Sequence, residues 1–174
     1  MKVNLVPFPG MAYPDIAIGV EVEMYGPRSV DLRYSVTGSV TQLSLPPIVE
    51  RAPAGELWEH TCFEMFARTV GTEAYDELNL SPSTQWACYS FDAYRSGMMA
   101  LRTVPPDIWM ERGAGQLILG GLGMLPDKGP WRIGLSAVIE ETDGTKSYWA
   151  LAHPPGKPDF HHPDCFALEI PAVG

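Results

Sequence analysis

Side chains able to do chemistry gather in three stretches of this chain. The first is Leu57-Trp-Glu-His-Thr-Cys-Phe-Glu-Met-Phe66. The second runs from Asn79 through Ser81-Pro82-Ser83 to Trp86-Ala-Cys-Tyr-Ser-Phe-Asp-Ala-Tyr-Arg95. The third is the loop His153-Pro-Pro-Gly-Lys-Pro-Asp-Phe-His-His-Pro163, which holds three of the four His. Flat apolar rings alternate there with carboxylates, an amide and a guanidinium. A pyranose ring has an apolar face that stacks on aromatics and hydroxyls that need donors and acceptors, so the mixture suits a sugar-like ligand.

On that reading Trp58, Trp86 and Trp149 are the stacking faces, with Tyr94 beside them. Glu64, Asn79 and Arg95 bond the hydroxyls, and Lys157, Asp159 and His161 stand on the flanking loop. Glu59 and Asp92 add polar groups nearby. Trp86 and Trp149 fit core packing equally well, whereas Trp58, next to charged residues ahead of a strand, is expected to be exposed. Glu64, between Phe63 and Met65, faces solvent or is buried with a partner; Arg95 and Arg102 are the candidates, and a structural ion pair is the stronger alternative. The proline-dense loop, with a turn at Pro155-Gly156, is stiff enough to form the wall of a pocket at small entropic cost.

Other chemistries find less support. The imidazoles and Asp159 are metal-ligating types, but their spacing matches no common zinc pattern and no His pair sits at i, i+4. Haem needs an axial pair such as Met65 or Met24 with a loop His, and nothing in the spacing selects one. The expectation is no metal and no cofactor. Gly134-Leu-Ser136-Ala-Val138 misses the nucleophile-elbow pattern at its last position. Gly113-Ala-Gly115 lacks the third glycine of a dinucleotide loop. Glu64 and Asp92 on neighbouring strands are an unanchored glycosidase pair. The chain is therefore read as non-enzymatic.

The elements that must position these groups are short strands. Ile16–Met24 and Val30–Thr37 alternate with period two around a Gly26-Pro27 turn. Further strands are expected at Thr41–Leu45, Thr61–Arg68, Tyr75–Leu80, Gln85–Tyr94, Met98–Val104, Ile108–Arg112, Gln116–Leu119, Trp131–Ile139, Lys146–Ala152 and Cys165–Ile170. Asp143-Gly144 is a two-residue hairpin signal, and Glu73–Leu78 could form a turn or two of helix. Seventeen Gly and 17 Pro punctuate the 174 residues. About ten short strands with no helical periodicity predict one domain over 1–174, an antiparallel β-sandwich of jelly-roll or immunoglobulin type.

A net charge of −9 at pH 7 disfavours nucleic acid and anionic lipid and leaves a neutral or weakly charged ligand unopposed. The N-terminal apolar run breaks at Pro7 and Pro9, too short for a signal-peptide core. No stretch reaches membrane-spanning length, so a cytoplasmic protein is expected. Cys62, Cys88 and Cys165 are odd in number and read as reduced, partly buried thiols, with a disulfide between two of them left open.

Trp58-Glu-His-Thr-Cys-Phe-Glu-Met-Phe66, the Asn79-Leu-Ser-Pro-Ser turn, Trp86–Arg95 and Tyr148–Pro163 resemble the DOMON-like proteins of bacteria, themselves similar to family 9 carbohydrate-binding modules. The resemblance spans most of the chain. It implies a β-sandwich that binds a sugar or haem, the sugar being clamped between aromatic rings and hydrogen-bonded by carboxylate, amide and Arg groups. Residues and resemblance together predict a non-catalytic module for a small ligand, a carbohydrate such as a cell-wall sugar. The alternatives are a protein-interaction or self-association domain, homo-oligomeric in the latter case, and a haem- or metal-binding domain.

Overall fold

The computed structural model describes residues 1–126 and 129–172. Twelve strands follow in chain order: β1 Lys2–Pro7, β2 Ile16–Met24, β3 Ser29–Gly38, β4 Cys62–Thr69, β5 Tyr75–Leu80, β6 Trp86–Phe91, β7 Met99–Ala100, β8 Trp109–Arg112, β9 Gln116–Met124, β10 Trp131–Glu140, β11 Lys146–Ala150 and β12 Leu168–Ile170. The only helical pieces among the described residues are 3₁₀ turns at Val40–Gln42, Leu57–Glu59 and Pro163–Cys165. The fold is all-β, and every strand-to-strand pairing is antiparallel.

The strands form one hydrogen-bonded, strongly curled sheet in the order β7-β6-β5-β4-β10-β11-β1-β2-β3-β9-β8, with β12 pairing β10 to the side. β1 is the hinge of the curl. Lys2–Leu5 pair with β2, and Val6–Pro7 pair with β11. The two arms thus turn their apolar faces toward each other. Val20, Leu32, Tyr34 and Leu119 from one arm share a core with Phe63, Leu80, Trp86, Trp131 and Trp149 from the other. Tyr34 Oη donates across this core to the Glu64 carbonyl at 2.7 Å, so a strongly buried phenol is satisfied without water.

Three details depart from the sequence expectation. Lys2–Pro7 is a strand; Pro7, which reads as a breaker, sits at its last position, where a missing N–H is tolerated. Glu73–Leu78 carries no helical turn, because Tyr75–Leu80 pairs on both sides with β4 and β6. Thr41–Leu45 is replaced by the Val40–Gln42 turn and an isolated bridge from Leu43 to Glu141. The β10–β11 hairpin does close at Asp143-Gly144, but over a wider turn. Gly144 N–H donates to the Glu141 carbonyl at 2.9 Å with Gly144 at φ 87°, a left-handed position that favours glycine. Among the described residues, no helix is long and apolar enough to cross a membrane. Cys62, Cys88 and Cys165 are all free thiols.

Candidate functional site

Strand register decides which side chains share the face turned away from the core. Ser136 lies opposite Glu64, and Glu64 opposite Asn79. One step along, Phe66 lies opposite Glu77, and Glu77 opposite Tyr89. Tyr148 is level with Val138 on the neighbouring strands. Because side chains alternate between faces with period two, Glu64, Glu77, Asn79 and Ser136 form the polar floor of one outer face, and Tyr148, Phe91, Tyr75 and Phe66 surround it.

The C-terminal loop folds over this floor. Gly134 lets it approach: a Cβ there would lie 3.2 Å from the Cys165 carbonyl oxygen. Phe160 and Phe166 pack with Phe66, Tyr75, Phe91 and Val138 in a second apolar cluster. The Ala93–Ser96 turn after β6 meets the loop from the other side. Tyr94 and Arg95 hold its central positions, Arg95 in the left-handed region at φ 51°. Tyr94 Oη donates to Asp159 Oδ2, and Arg95 donates to Asp159 Oδ1 from Nη2 at 2.7 Å and from Nε at 3.2 Å. The His161 N–H donates to the same oxygen at 3.2 Å. Asp159 is therefore the knot that ties turn to loop. Burial opposes its ionisation, but the bonds from Tyr94 and Arg95 outweigh that and hold its carboxyl below the usual range.

Between floor, turn and loop lies a cleft of about 390 Å³. Glu64, Glu77, Arg95, Asp159 and His161 line its polar side. Trp58, Phe91, Tyr148, Phe160 and Met98 line its apolar side, with Val138 and Pro158. The size falls within the range of small-molecule sites, and the pairing of apolar walls with few polar groups is their usual make-up.

The electrostatics of the floor are unusual. Burial pushes Glu64 up to about 8, helped by the neighbouring Glu77 charge and opposed by the Ser136 hydroxyl, which donates to Oε2 at 3.2 Å. Burial also pushes Glu77 up to about 7, against the Asn79 amide, which donates to Oε1 at 2.7 Å. The two acids titrate as a coupled pair, each pushed toward its protonated form by burial. Burial, with Arg95 nearby, holds His161 neutral down to about 4. The Arg95 amide donates to Tyr75 Oη at 3.2 Å, and the same phenol oxygen is hydrogen-bonded to His161 Nδ1 at 2.8 Å. Nε2 faces Glu77 Oε2 at 3.8 Å.

Five of the residues singled out by sequence thus meet in one place: Trp58, Glu64, Arg95, Asp159 and His161. Four do not. Trp86 and Trp149, expected as stacking faces, are 5% and 2% exposed and point into the core, so neither offers a ring to a ligand. Each alternates with a residue on the cleft face, Ala87 and Tyr148 respectively. Asn79 is a fully buried part of the floor that does not line the cleft and bonds Glu77. Lys157 is exposed at the loop tip and does not line the cleft. The expected ion pair of Glu64 with Arg95 or Arg102 is not formed, since Arg95 is bound to Asp159. Asp92 is exposed on the turn and lies outside the cleft. The four imidazoles have separate partners, His60 with Glu140 and His153 with the Val6 carbonyl, and no metal-holding group of three or more His, Cys, Asp or Glu forms among the described residues. Glu77 and Tyr148 escaped the sequence reading. Glu77 is two residues from Asn79 and so on its face, a relation that the helical reading of Glu73–Leu78 concealed.

Known structures resemble this arrangement of strands. A putative carbohydrate-binding protein from Bacteroides uniformis superposes with a TM-score of 0.67 at 15% identity, over 95% of this chain and 83% of that one. A family 9 carbohydrate-binding module from Caldicellulosiruptor kristjanssonii matches at 0.51 in complex with cellotriose and at 0.50 in complex with glucose, at 8% identity over 83% of this chain in each case and 70% and 71% of the other chain. The likeness is one of fold. No protein-family model matches the sequence, and no curated protein matches it.

Proposed function

We propose that this protein is a non-catalytic carbohydrate-binding module of the DOMON-like, family 9-like kind, from a bacterium, with the two arms of its curled sheet serving as the layers of a jelly-roll sandwich. The observation that carries the reading is the cleft itself. It sets the Trp58 ring and the Tyr94–Arg95–Asp159 clamp over a buried carboxylate floor, in a fold shared with proteins named for binding sugars. A sugar's apolar face would lie on Trp58 and Tyr148, and its hydroxyls would meet Arg95, Asp159 and Glu77. On this reading the protein needs no cofactor and works in the cytoplasm, and its ligand is a small saccharide such as a cell-wall sugar. A glycan array followed by isothermal titration with glucose and cellotriose tests it. Saturable binding that Arg95→Ala weakens supports the reading, and silence across the array removes it.

A second reading, self-association, rests on one patch. Met98, Met99, Leu101 and Val104 are exposed side by side along β7 and the segment after it, at an open sheet edge. Light scattering over a range of concentrations decides it: a constant monomer mass rules it out.

A further inference from the structure

The floor of the cleft is rich in acceptors and poor in donors. Glu64 and Glu77 are both buried, and the protein gives each only one hydrogen bond, from Ser136 and Asn79 respectively. Asn79 Oδ1 is buried, on the amide that bonds Glu77 and opposite Glu64 in register, and it has no hydrogen-bond partner among the described residues. Once ionised, these buried carboxylates call for a cation, and among the described residues none is committed to them. Arg95 is engaged by Asp159, and the nearest imidazole nitrogen is 3.8 Å away on His161. A primary ammonium carries one positive charge and three hydrogen-bond donors in a compact group, which is what this floor lacks.

We propose that the cleft is specific for a cationic amino sugar, whose ammonium group seats between Glu64 and Glu77 while the ring lies against Trp58 and Tyr148. The assignment rests on the carbohydrate reading above and narrows its ligand class. Arg95 faces the outer part of the cleft with half of its side chain exposed, so the site is polarised, with its cationic side chain at the mouth and its carboxylates at the base. An amino sugar enters amine first, and its remaining hydroxyls are left to the Arg95–Asp159 clamp. The chain's overall charge of −9 draws such a ligand in.

The test is titration calorimetry at neutral pH with glucosamine, glucose and N-acetylglucosamine, which differ in carrying an ammonium, a hydroxyl or a neutral amide at one ring position. Cyclohexylamine serves as an ammonium probe that lacks hydroxyls. Glucosamine is expected to bind at least about tenfold more tightly than glucose or N-acetylglucosamine, a gap of the size that a charge-assisted hydrogen bond supplies. Cyclohexylamine should compete with it, and Glu77→Gln should erase the preference. The competition arm needs no variant, so it stands even if Glu77→Gln does not fold. Equal affinity for the three sugars overturns the ammonium assignment and leaves the carbohydrate reading intact. Binding of none of the three sugars, with or without binding of cyclohexylamine, removes the amino-sugar site, and the glycan array then decides the carbohydrate reading separately.

Discussion

The two faces of β4, β5, β10 and β11 are built from alternate residues of the same strands, yet they serve opposite ends. One face packs Phe63, Met65, Leu80, Trp131 and Trp149 against the other arm. The opposite face carries Glu64, Glu77, Ser136 and Tyr148 toward the cleft. Neither the backbone nor the sequence neighbourhood differs between Tyr148 and Trp149; only the parity does. Large aromatics on the core face hold the fold together, and the polar face is free to hold groups that weaken it. The buried acid pair is tolerated because the apolar face behind it is well packed.

That contrast can be broken from the core side first. Trp149→Ala should cost about 3–5 kcal/mol of stability, read as a large drop in the urea midpoint, since the indole is buried and its Nε1 bonds Ser147 Oγ at 2.9 Å. Tyr148→Ala, one residue away, should leave the midpoint nearly in place and lower sugar affinity. If the two variants unfold alike, the division of labour between the faces is wrong.

The cleft face shows itself next in its pH dependence. Folding raises Glu64 and Glu77 from ordinary values of 4.5 to about 8 and about 7. The native state therefore holds more protons than the unfolded chain between those limits. This contribution to stability is fully present below 4.5 and is lost as pH climbs through 7 and 8. His161, lowered from 6.5 to about 4, acts the other way: its contribution is present above 6.5 and is lost as pH falls toward 4. The opposing slopes partly cancel in mildly acidic buffer. Between 6.5 and about 8 the acids act alone, and stability should decline by at most roughly 1.4 kcal/mol per pH unit for each acid still protonated in the native state. Chemical denaturation across this range should reveal the fall, and the double variant Glu64→Gln/Glu77→Gln should flatten it.

Asp159→Ala comes third. It takes the acceptor from Tyr94, Arg95 and the His161 amide at once, so sugar affinity is expected to fall at least about tenfold, measured by calorimetry. Trp58→Ala should have a smaller effect on affinity and almost none on stability, because this ring is 38% exposed and touches Tyr89 only edge-on. It should abolish most of any fluorescence change on sugar binding; a signal that survives the substitution would place the stacking ring elsewhere. Lys157→Ala, at the loop tip, should change neither quantity.

Much of this arrangement was legible in the chain and some was not. The alternation in Ile16–Met24 and Trp131–Ile139 shows strands directly, because each has one wet or polar row. The crowding of Glu64, Arg95, Asp159 and His161 into one cleft followed from three stretches that share residue types, and four of the loop and strand candidates do meet there with Trp58. Facing was harder. Trp86 and Trp149 lie in strands whose sequences, Trp-Ala-Cys-Tyr-Ser-Phe and Lys-Ser-Tyr-Trp-Ala, do not alternate polar with apolar, so their parity is not visible in the chain. The identity of Glu64's partner was equally hidden, for it depends on a register between β4 and β10 across more than 60 residues of sequence. Asp159 was visible as a polar tip, but its role as an acceptor for Tyr94 and Arg95 needs the turn at Ala93–Ser96 to bend back onto the loop.

The split strand β1 has a consequence for how the chain is made. Its first half can zip onto β2 once Glu21 has been made, since Leu5 pairs with Ile18 and Lys2 with Glu21, a fast local event. Its second half must wait for β11, because Val6 pairs with Ala150. Until the chain has been extended past Ala150, Val6 and Pro7 dangle beside an unfinished seam. Such long-range closure is slow and exposes apolar surface meanwhile, so this seam closes late in assembly.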